Sequence, residues 1–209
     1  MKKLNIDTWN RKEHFEFFSK FDEPFFGIVT EIDCTIAYKK ANEKGYSLFA
    51  YYLHKSLVAI NSIEAFRYRI YNNDVFIHDA IDASPTIGRK DETYGFSFVK
   101  YNEDFEIFNK SLKKEISEVQ NSVGLRLNDD TNKNNVVHYS SIPWNHFTAL
   151  SHARNYNTQD SAPKITFGKI HTVDGTKKMS VSIHVHHALL DGLHVSKHLE
   201  LFQKLMNED

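Results

Sequence analysis

The sequence predicts an α/β protein in which a sheet packs with helices, in a single domain over residues 1–209. Two kinds of pattern predict it. Residues 66–71 and 75–78 alternate apolar and polar side chains with the two-residue period of strands, and the Asn-Asn-Asp turn between them indicates an antiparallel hairpin. Residues 104–123 instead repeat apolar side chains at helical spacing. A chain of 209 residues suits one sizeable core, and it has no internal repeat or low-complexity linker.

Five segments carry the apolar spacing of helices. They are residues 9–20, about 36–43, 48 to about 60, 104–123, and 193 to the end. Asp7 or Thr8 is expected to cap the first helix, and Ser47 the third. Gly45 and Gly124 are expected to end the second and the fourth, which is the longest. The third is apolar over most of its surface, which predicts a central, buried helix.

Other segments carry the alternation or the apolar composition of strands. They are residues 25–34, 66–71, 75–78, 85–88, 94–101, 136–144, 163–169 and 181–187. The strand over 136–144 is expected to end at Pro143, which has no amide hydrogen to continue a ladder. Polar residues at 126–135, 148–162 and 172–179 indicate loops and turns.

The composition describes an ordinary globular protein. Hydrophobic residues make up 41% and charged residues 25% of the chain, and the net charge is −1. A charge so close to neutral argues against a nucleic-acid or membrane-surface role that depends on bulk charge. The single cysteine, Cys34, excludes an intrachain disulfide and is expected to be a buried, small apolar side chain. We expect a cytoplasmic protein, because no stretch resembles a signal peptide or a membrane span.

Residues 181–192 carry the strongest functional signal. By the two-residue period, His187 continues the apolar row of a strand, and Gly192 marks the turn into the last helix. An imidazole in apolar surroundings stays neutral, as a general base must be. Asp191 at the strand end needs a partner for its charge. The residues alone also fit a packed core histidine and a helix-capping aspartate.

The order of these residues resembles a known motif. His186-His187-Ala-Leu-Leu-Asp191-Gly192 matches the His-His-x-x-x-Asp-Gly motif of acyl-CoA-dependent acyltransferases. Three further segments narrow the match: Trp-x-Arg-x-Glu-His-Phe at 9–15, Ser-Ser-Ile-Pro-Trp at 140–144 and Pro-x-x-Thr at 163–166. With these matches in order along essentially the whole chain, the sequence resembles the chloramphenicol acetyltransferase family.

The resemblance implies a fold and a set of catalytic residues. The fold is an α+β two-layer sandwich with a mixed, mostly antiparallel sheet. His187 is the general base, and the Ser140 hydroxyl stabilises the tetrahedral oxyanion. Arg11 pairs with Asp191 and holds the turn that carries His187. Four residues are assigned to substrate binding: Thr166, which would hold a water near the oxyanion, Phe18, Tyr139 and His138.

The resemblance also implies partners. Acetyl-CoA is the co-substrate, chloramphenicol is the acceptor, and no metal is needed. The protein is expected to be a homotrimer with its sites between subunits, so that His187 faces a pocket supplied mainly by a neighbour. Phe18 departs from the tyrosine that the family often has at this position. A different xenobiotic alcohol therefore stays open as the acceptor.

Two interpretations from other classes stay open at this point. His184 and His186 share one strand face, and His194 and His198 are one helical turn apart, so either pair has a spacing that can bind zinc in a metal-dependent hydrolase. The His-Glu-x-x-His signature of metalloproteases is absent from the sequence. A homologue that binds ligand without catalysis is the other alternative.

Overall fold

A computed structural model describes residues 1–155 and 160–208 of the chain. The described residues form nine strands and five α-helices. The strands are β1 Lys2–Lys3, β2 Phe25–Asp33, β3 Tyr68–Tyr71, β4 Asp74–Ile77, β5 Asp82–Gly88, β6 Tyr94–Phe96, β7 Val136–Ile142, β8 Lys164–Val173 and β9 Thr176–His186. The helices are α1 Lys12–Phe18, α2 Thr35–Glu43, α3 Leu48–Ser62, α4 Phe105–Gln120 and α5 Gly192–Asn207.

The main sheet is mixed and mostly antiparallel. Its strand order is β2-β9-β8-β7-β5-β6, with parallel pairing in β5–β7 and β7–β8 and antiparallel pairing elsewhere. A smaller antiparallel sheet has the order β1-β4-β3 and contains the predicted hairpin. The predicted α+β arrangement of a mixed sheet packed with helices is confirmed. None of the described helices has the length and apolar character needed to cross a membrane.

The two faces of the main sheet have different chemistry. One face packs on α3 and α5: the Tyr139 hydroxyl lies 3.1 Å from Ser56 Oγ on α3, and Phe167 contacts Tyr52 of α3 and Phe202 of α5. Successive residues of a strand point to opposite faces. The other face therefore carries a row of polar residues on neighbouring strands: Ser84, His138, Ser140, Lys164, Thr166, Ser182 and His184.

Helix α3 forms the centre of the core, as predicted. Ser47 caps it by accepting a hydrogen bond from the Ala50 amide at 3.5 Å. Nine of its fifteen residues are buried. Cys34, at the N-terminus of α2, is also fully buried, and burial, followed by the charge of Asp33, raises the pKa of its thiol to about 11. The prediction of a buried, small apolar side chain is confirmed.

Several predicted boundaries of helices and strands are wrong because side chains accept hydrogen bonds from backbone amides. Asp7 and Thr8 lie in a short 3-10 turn, and α1 begins later, after Arg11. Strand β6 ends at Phe96, since the Phe98 amide donates to the carboxylate of Glu115 instead of continuing the ladder.

Three more predictions are corrected at turns and helix ends. Helix α4 ends at Gln120, with Asn121 as its C-cap in place of Gly124, and it equals α5 in length at 16 residues. The predicted turn over 172–179 narrows to Asp174 and Gly175, because both have positive φ and allow β8 and β9 to form a tight hairpin. Strand β9 ends at His186, so His187 is the first residue after the strand rather than its last apolar position.

His198 on α5 is buried in the aromatic part of the core. Its ring stacks on Phe202 and tilts against Phe66, and neither ring nitrogen has a hydrogen-bond partner among the described residues. Burial lowers its pKa to about 3. Because an unfolded histidine has a pKa near 6.5, the unfolded chain binds the extra proton first, and stability falls as the pH drops below about 6.5.

His198→Leu is therefore expected to stabilise the protein, and more so in acid. Removing an unpaired buried polar group contributes about 1–3 kcal/mol at pH 7.5. A drop to pH 5 should cost the wild type about 2 kcal/mol more than the variant. Urea unfolding of both proteins at the two pH values measures this difference. Parallel pH dependence of the two proteins would show that His198 is not the group that titrates.

Candidate active site

His187 is held between two aromatic rings at the end of β9. Its ring stacks on Phe18 of α1 with a centroid separation of 4.0 Å and an interplanar angle of 16°. Phe26 of β2 contacts the same ring at 4.6 Å. The His187 amide donates to the Pro24 carbonyl at 2.7 Å, which ties the backbone to the start of β2. The imidazole therefore has a fixed plane and an apolar environment.

A backbone contact sets the tautomer of His187. Its Nδ1 lies 3.1 Å from the carbonyl oxygen of Leu190. A carbonyl can only accept, so Nδ1 carries the hydrogen and Nε2 carries the lone pair. This is the arrangement that a general base needs, because the proton-accepting nitrogen is defined before the substrate binds. The turn between β9 and α5 supplies the carbonyl.

Arg11 and Asp191 form the predicted ion pair. Arg11 Nη1 donates to Asp191 Oδ2 at 2.6 Å, and Arg11 Nη2 donates to the His187 carbonyl at 3.3 Å. Asp191 also caps α5 by accepting from the Leu193 amide at 3.1 Å, and its Oδ1 lies 2.8 Å from His194 Nδ1. The guanidinium thus bridges the two ends of the turn from His187 to Asp191. This contact supports a positioning role for the pair.

The electrostatics of Asp191 agree with a permanent carboxylate. Partial burial opposes its charge, but the hydrogen bond from Arg11 and the nearby His194 outweigh that effect and lower its pKa to about 2. Arg11 is the more buried partner, with 8% of its surface exposed. A guanidinium left without its carboxylate partner at that buried position would lower the free energy of unfolding.

Asp191→Asn is expected to lower the free energy of unfolding by about 3 kcal/mol, at the low end for buried pairs because the Asp191 side chain is one-third exposed. Urea unfolding measures the loss. The double variant Arg11→Met with Asp191→Ser removes both charges and keeps a helix-capping side chain, so it should be more stable than the single variant. A double variant no more stable than Asp191→Asn would contradict the ion-pair explanation.

Ser140 and Thr166 are neighbours on the polar face of the sheet. They pair in register on the parallel strands β7 and β8, and Thr166 pairs with Ser182 on β9. The Thr166 side chain is 1% exposed, and its Oγ1 has no hydrogen-bond partner among the described residues. An unpartnered buried hydroxyl fits the predicted role of Thr166 in holding a water molecule beside Ser140.

A cavity of about 720 Å³ opens in front of Ser140. This volume suits a drug-sized ligand. Its wall includes His138, His152, Lys164 and Asp160, so charged and imidazole groups lie beside the serine. Lys164 forms an ion pair with Asp160.

The imidazoles of this cavity are neutral at pH 7. Burial and then the Lys164 ammonium lower the pKa of His138 to about 4, and burial followed by His184 lowers that of His152 to about 4. The side chain of Tyr139 does not join them, because it packs in the core and is 2% exposed. This position corrects the assignment of the Tyr139 side chain to substrate binding.

The predicted catalytic residues occupy two separate places in one chain. Ser140 lies in register with Ser182, two strands away, and His187 lies five residues beyond Ser182. At ~3.3 Å per residue and ~4.8 Å between strands, the two backbones are about 19 Å apart. A base must come within about 3 Å of the proton that it takes, so His187 and Ser140 of one chain cannot act on the same substrate.

Sequence reasoning missed part of each region. Phe26 was recognised as an apolar strand residue, but nothing in the sequence indicates that it contacts His187. The contact of the Leu190 carbonyl with His187 involves a backbone atom, so no pattern of side chains predicts it. His152 and Lys164 were assigned to a loop and to a strand start, and their place in the cavity depends on how β7 and β8 pair.

The structure does not favour the zinc pairs considered from the sequence. His184 Nδ1 lies 3.2 Å from Ser182 Oγ, and His186 Nδ1 accepts from the Ala188 amide. His194 contacts Asp191, whereas His198 lies in the core. Among residues 1–155 and 160–208, none of these four belongs to a group of three metal-ligating side chains.

Comparisons with known proteins agree with this geometry. The family model of chloramphenicol acetyltransferase matches residues 1–203. Chloramphenicol acetyltransferases from Proteus mirabilis and Staphylococcus aureus are 26% and 28% identical to the chain, which they cover to 98% and 97%, with 94% and 97% of their own lengths matched. A solved chloramphenicol acetyltransferase superposes with a TM-score of 0.90 at 26% identity, covering 98% of this chain and 99% of its own.

More distant structures share the fold alone. A probable dihydrolipoamide acetyltransferase from Listeria monocytogenes has a TM-score of 0.68 at 14% identity, over 93% of this chain and 88% of its own. The fold and the match to the family thus define an acyltransferase. Because the family model matches nearly the whole chain, the protein belongs to the chloramphenicol acetyltransferase family.

Proposed function

We propose that the protein transfers the acetyl group of acetyl-CoA to a hydroxyl of chloramphenicol and so inactivates the antibiotic. One observation carries the proposal: the Leu190 carbonyl and two aromatic rings hold the His187 imidazole with Nε2 as its proton acceptor. Membership of the chloramphenicol acetyltransferase family supplies the reaction class and the acceptor.

The transfer is direct and needs no acyl-enzyme. Nε2 of His187 takes the proton of the substrate hydroxyl while its oxygen attacks the thioester carbonyl. The tetrahedral oxyanion accepts a hydrogen bond from Ser140, supported by a water on Thr166. The intermediate collapses by breaking the carbon–sulfur bond, and the imidazolium returns its proton to the CoA thiolate. The products are acetylated chloramphenicol and CoA, and the step needs no metal.

The same proposal includes assembly into a homotrimer with sites between subunits. Ser140 and His187 are about 19 Å apart in one chain by the strand geometry, so a neighbouring copy must bring its His187 to the cavity beside Ser140. A closed ring of identical contacts supplies one complete site for each chain. Aromatic residues around His187, such as Phe17 and Phe21, are partly exposed and suit such a contact. We place the protein in the cytoplasm, where acetyl-CoA is available.

Thiol release from acetyl-CoA tests the proposed reaction. The wild-type protein should release one thiol for each chloramphenicol consumed, and mass spectrometry should find the drug heavier by one acetyl group. An analogue with fluorine in place of the acceptor hydroxyl is the matched control, because it fills the same site and offers no oxygen. Thiol release with the analogue, or none with chloramphenicol, would contradict the proposal.

A second acceptor is favoured by the cavity wall. This wall is unusually polar for a site that binds a weakly polar drug, because it contains His138, His152 and the Lys164–Asp160 ion pair. Phe18 also lacks the hydroxyl of a tyrosine, so its ring offers no hydrogen bond. A more polar alcohol of the same size would use these groups. The discriminating measurement is kcat/KM for chloramphenicol against a panel of polar alcohols, in wild type and in His138→Leu.

A further inference from the structure

Glu31, His146 and His171 meet on the polar side of the sheet, and none of the three lines the cavity beside Ser140. They come from β2, from the segment after β7 and from β8. His146 Nε2 lies 3.0 Å and His171 Nε2 lies 3.1 Å from the same oxygen, Oε1 of Glu31. The two imidazole rings are 4.2 Å apart at an angle of 54°.

We propose that these three side chains bind a divalent transition-metal ion of the zinc class. Two imidazole nitrogens and one carboxylate oxygen form a donor set that suits Zn²⁺. The three donor atoms all lie within 4.8 Å of one another. In a tetrahedral zinc site with bonds of about 2.0–2.2 Å, neighbouring donors are about 3.3–3.6 Å apart. Small rotations of the side chains therefore convert the present contacts into a coordination shell.

The surroundings leave a place for a fourth ligand. The side chains of Glu31 and His146 are 36% and 39% exposed, so a water molecule can complete the tetrahedron from the solvent side. Lys178 Nζ lies 3.7 Å from Oε2 of Glu31. This ammonium lies on the side of the other carboxylate oxygen and leaves Oε1 for the metal.

A glycine beneath the cluster, Gly168, explains how His146 comes close to Glu31 and His171. Between Phe167 and Ile170 the pairing of β8 with β9 is irregular, and Gly168 lies at this irregularity. A Cβ on Gly168 would approach the Phe147 ring to 2.9 Å, so the glycine admits that ring against the sheet. The Lys169 amide also donates to the Asn145 carbonyl at 2.9 Å.

A bound ion would fix residues 143–147 to two strands at once. This segment directly follows β7, the strand that carries Ser140. With the ion, β2, β8 and this segment would be joined by coordinate bonds to one metal, in place of one hydrogen bond and one ion-pair contact on a partly exposed surface. The proposed site is thus a clamp for the segment, and it is independent of the chemistry of acetyl transfer.

Zinc titration of the untagged, chelator-treated protein tests the proposal. Calorimetry should find one Zn²⁺ per chain, and Co²⁺ should give the visible absorption of a tetrahedral complex. Excess Zn²⁺ should raise Tm by about 5–10 °C. Hydrogen exchange should slow in residues 143–147 when the ion is bound.

Variants of the cluster locate the ion. His171→Gln and Glu31→Gln should each weaken Zn²⁺ binding at least about 100-fold and abolish the Tm rise. His14→Gln is the matched control, because it removes an exposed histidine on α1 and should bind like wild type. Circular dichroism of each variant shows that it is folded. Absence of stoichiometric binding by wild type, or binding unchanged in both cluster variants, would overturn the proposal.

Discussion

Replacing His187 with glutamine should lower kcat for acetyl transfer by about 10²–10⁴-fold, while KM for both substrates changes little. Glutamine can still donate to the Leu190 carbonyl and lie between Phe18 and Phe26, but its amide cannot accept a proton from the substrate. Steady-state thiol release measures the effect. Because the imidazole acts in the transition state rather than in substrate binding, the loss should be confined to kcat.

Two controls separate a lost base from a damaged fold. The Tm of the His187→Gln protein should stay near that of wild type, since the Arg11–Asp191 pair still holds the turn. His14→Gln should keep full activity, because His14 is exposed on α1. A His187→Gln enzyme that keeps more than about a tenth of wild-type kcat would remove His187 from its role as base.

The motif-bearing residues could be predicted because each motif is a short run of sequence that resembles the family's. The spacing from His187 to Asp191 is set within one turn, whereas the pairing of Asp191 with the distant Arg11 followed from the resemblance and not from local order. Ser47 and α3 were also predictable, because a cap and an apolar surface are both local signals. Tyr139 shows the opposite error. Its assignment to the site ignored the two-residue period, which places Tyr139 and Ser140 on opposite faces of β7.

The contacts and distances that the sequence could not predict depend on strand register. Glu31, His146 and His171 are separated by up to 140 residues, and they meet through the pairing of β2, β9 and β8. Nothing in the chain order distinguishes them from its other histidines and glutamates. The distance between Ser140 and His187 has the same origin, because it follows from how many residues and strands lie between them.

Mixed assemblies of two inactive proteins should regain activity. His187→Ala keeps Ser140, and Ser140→Ala keeps His187, while each alone should lose about 10²-fold or more in kcat. Suppose that every site uses the histidine of one chain and the serine of the next. Random assembly from an equal mixture then produces about one site in four in which both groups are intact. Co-expression of the two variants gives this random mixture, and each trimer that contains both variants has one intact site in three.

The size of the recovery of activity distinguishes a site shared between chains from a site built within one chain. A site shared between chains predicts thiol release near a quarter of wild type for the random mixture, because each restored site works at the full rate. Two His187 variants co-expressed in the same way provide the control and should recover nothing. A site built within one chain predicts no recovery from either mixture, since every chain would carry its own defect. The spacing of about 19 Å within one chain favours the first outcome.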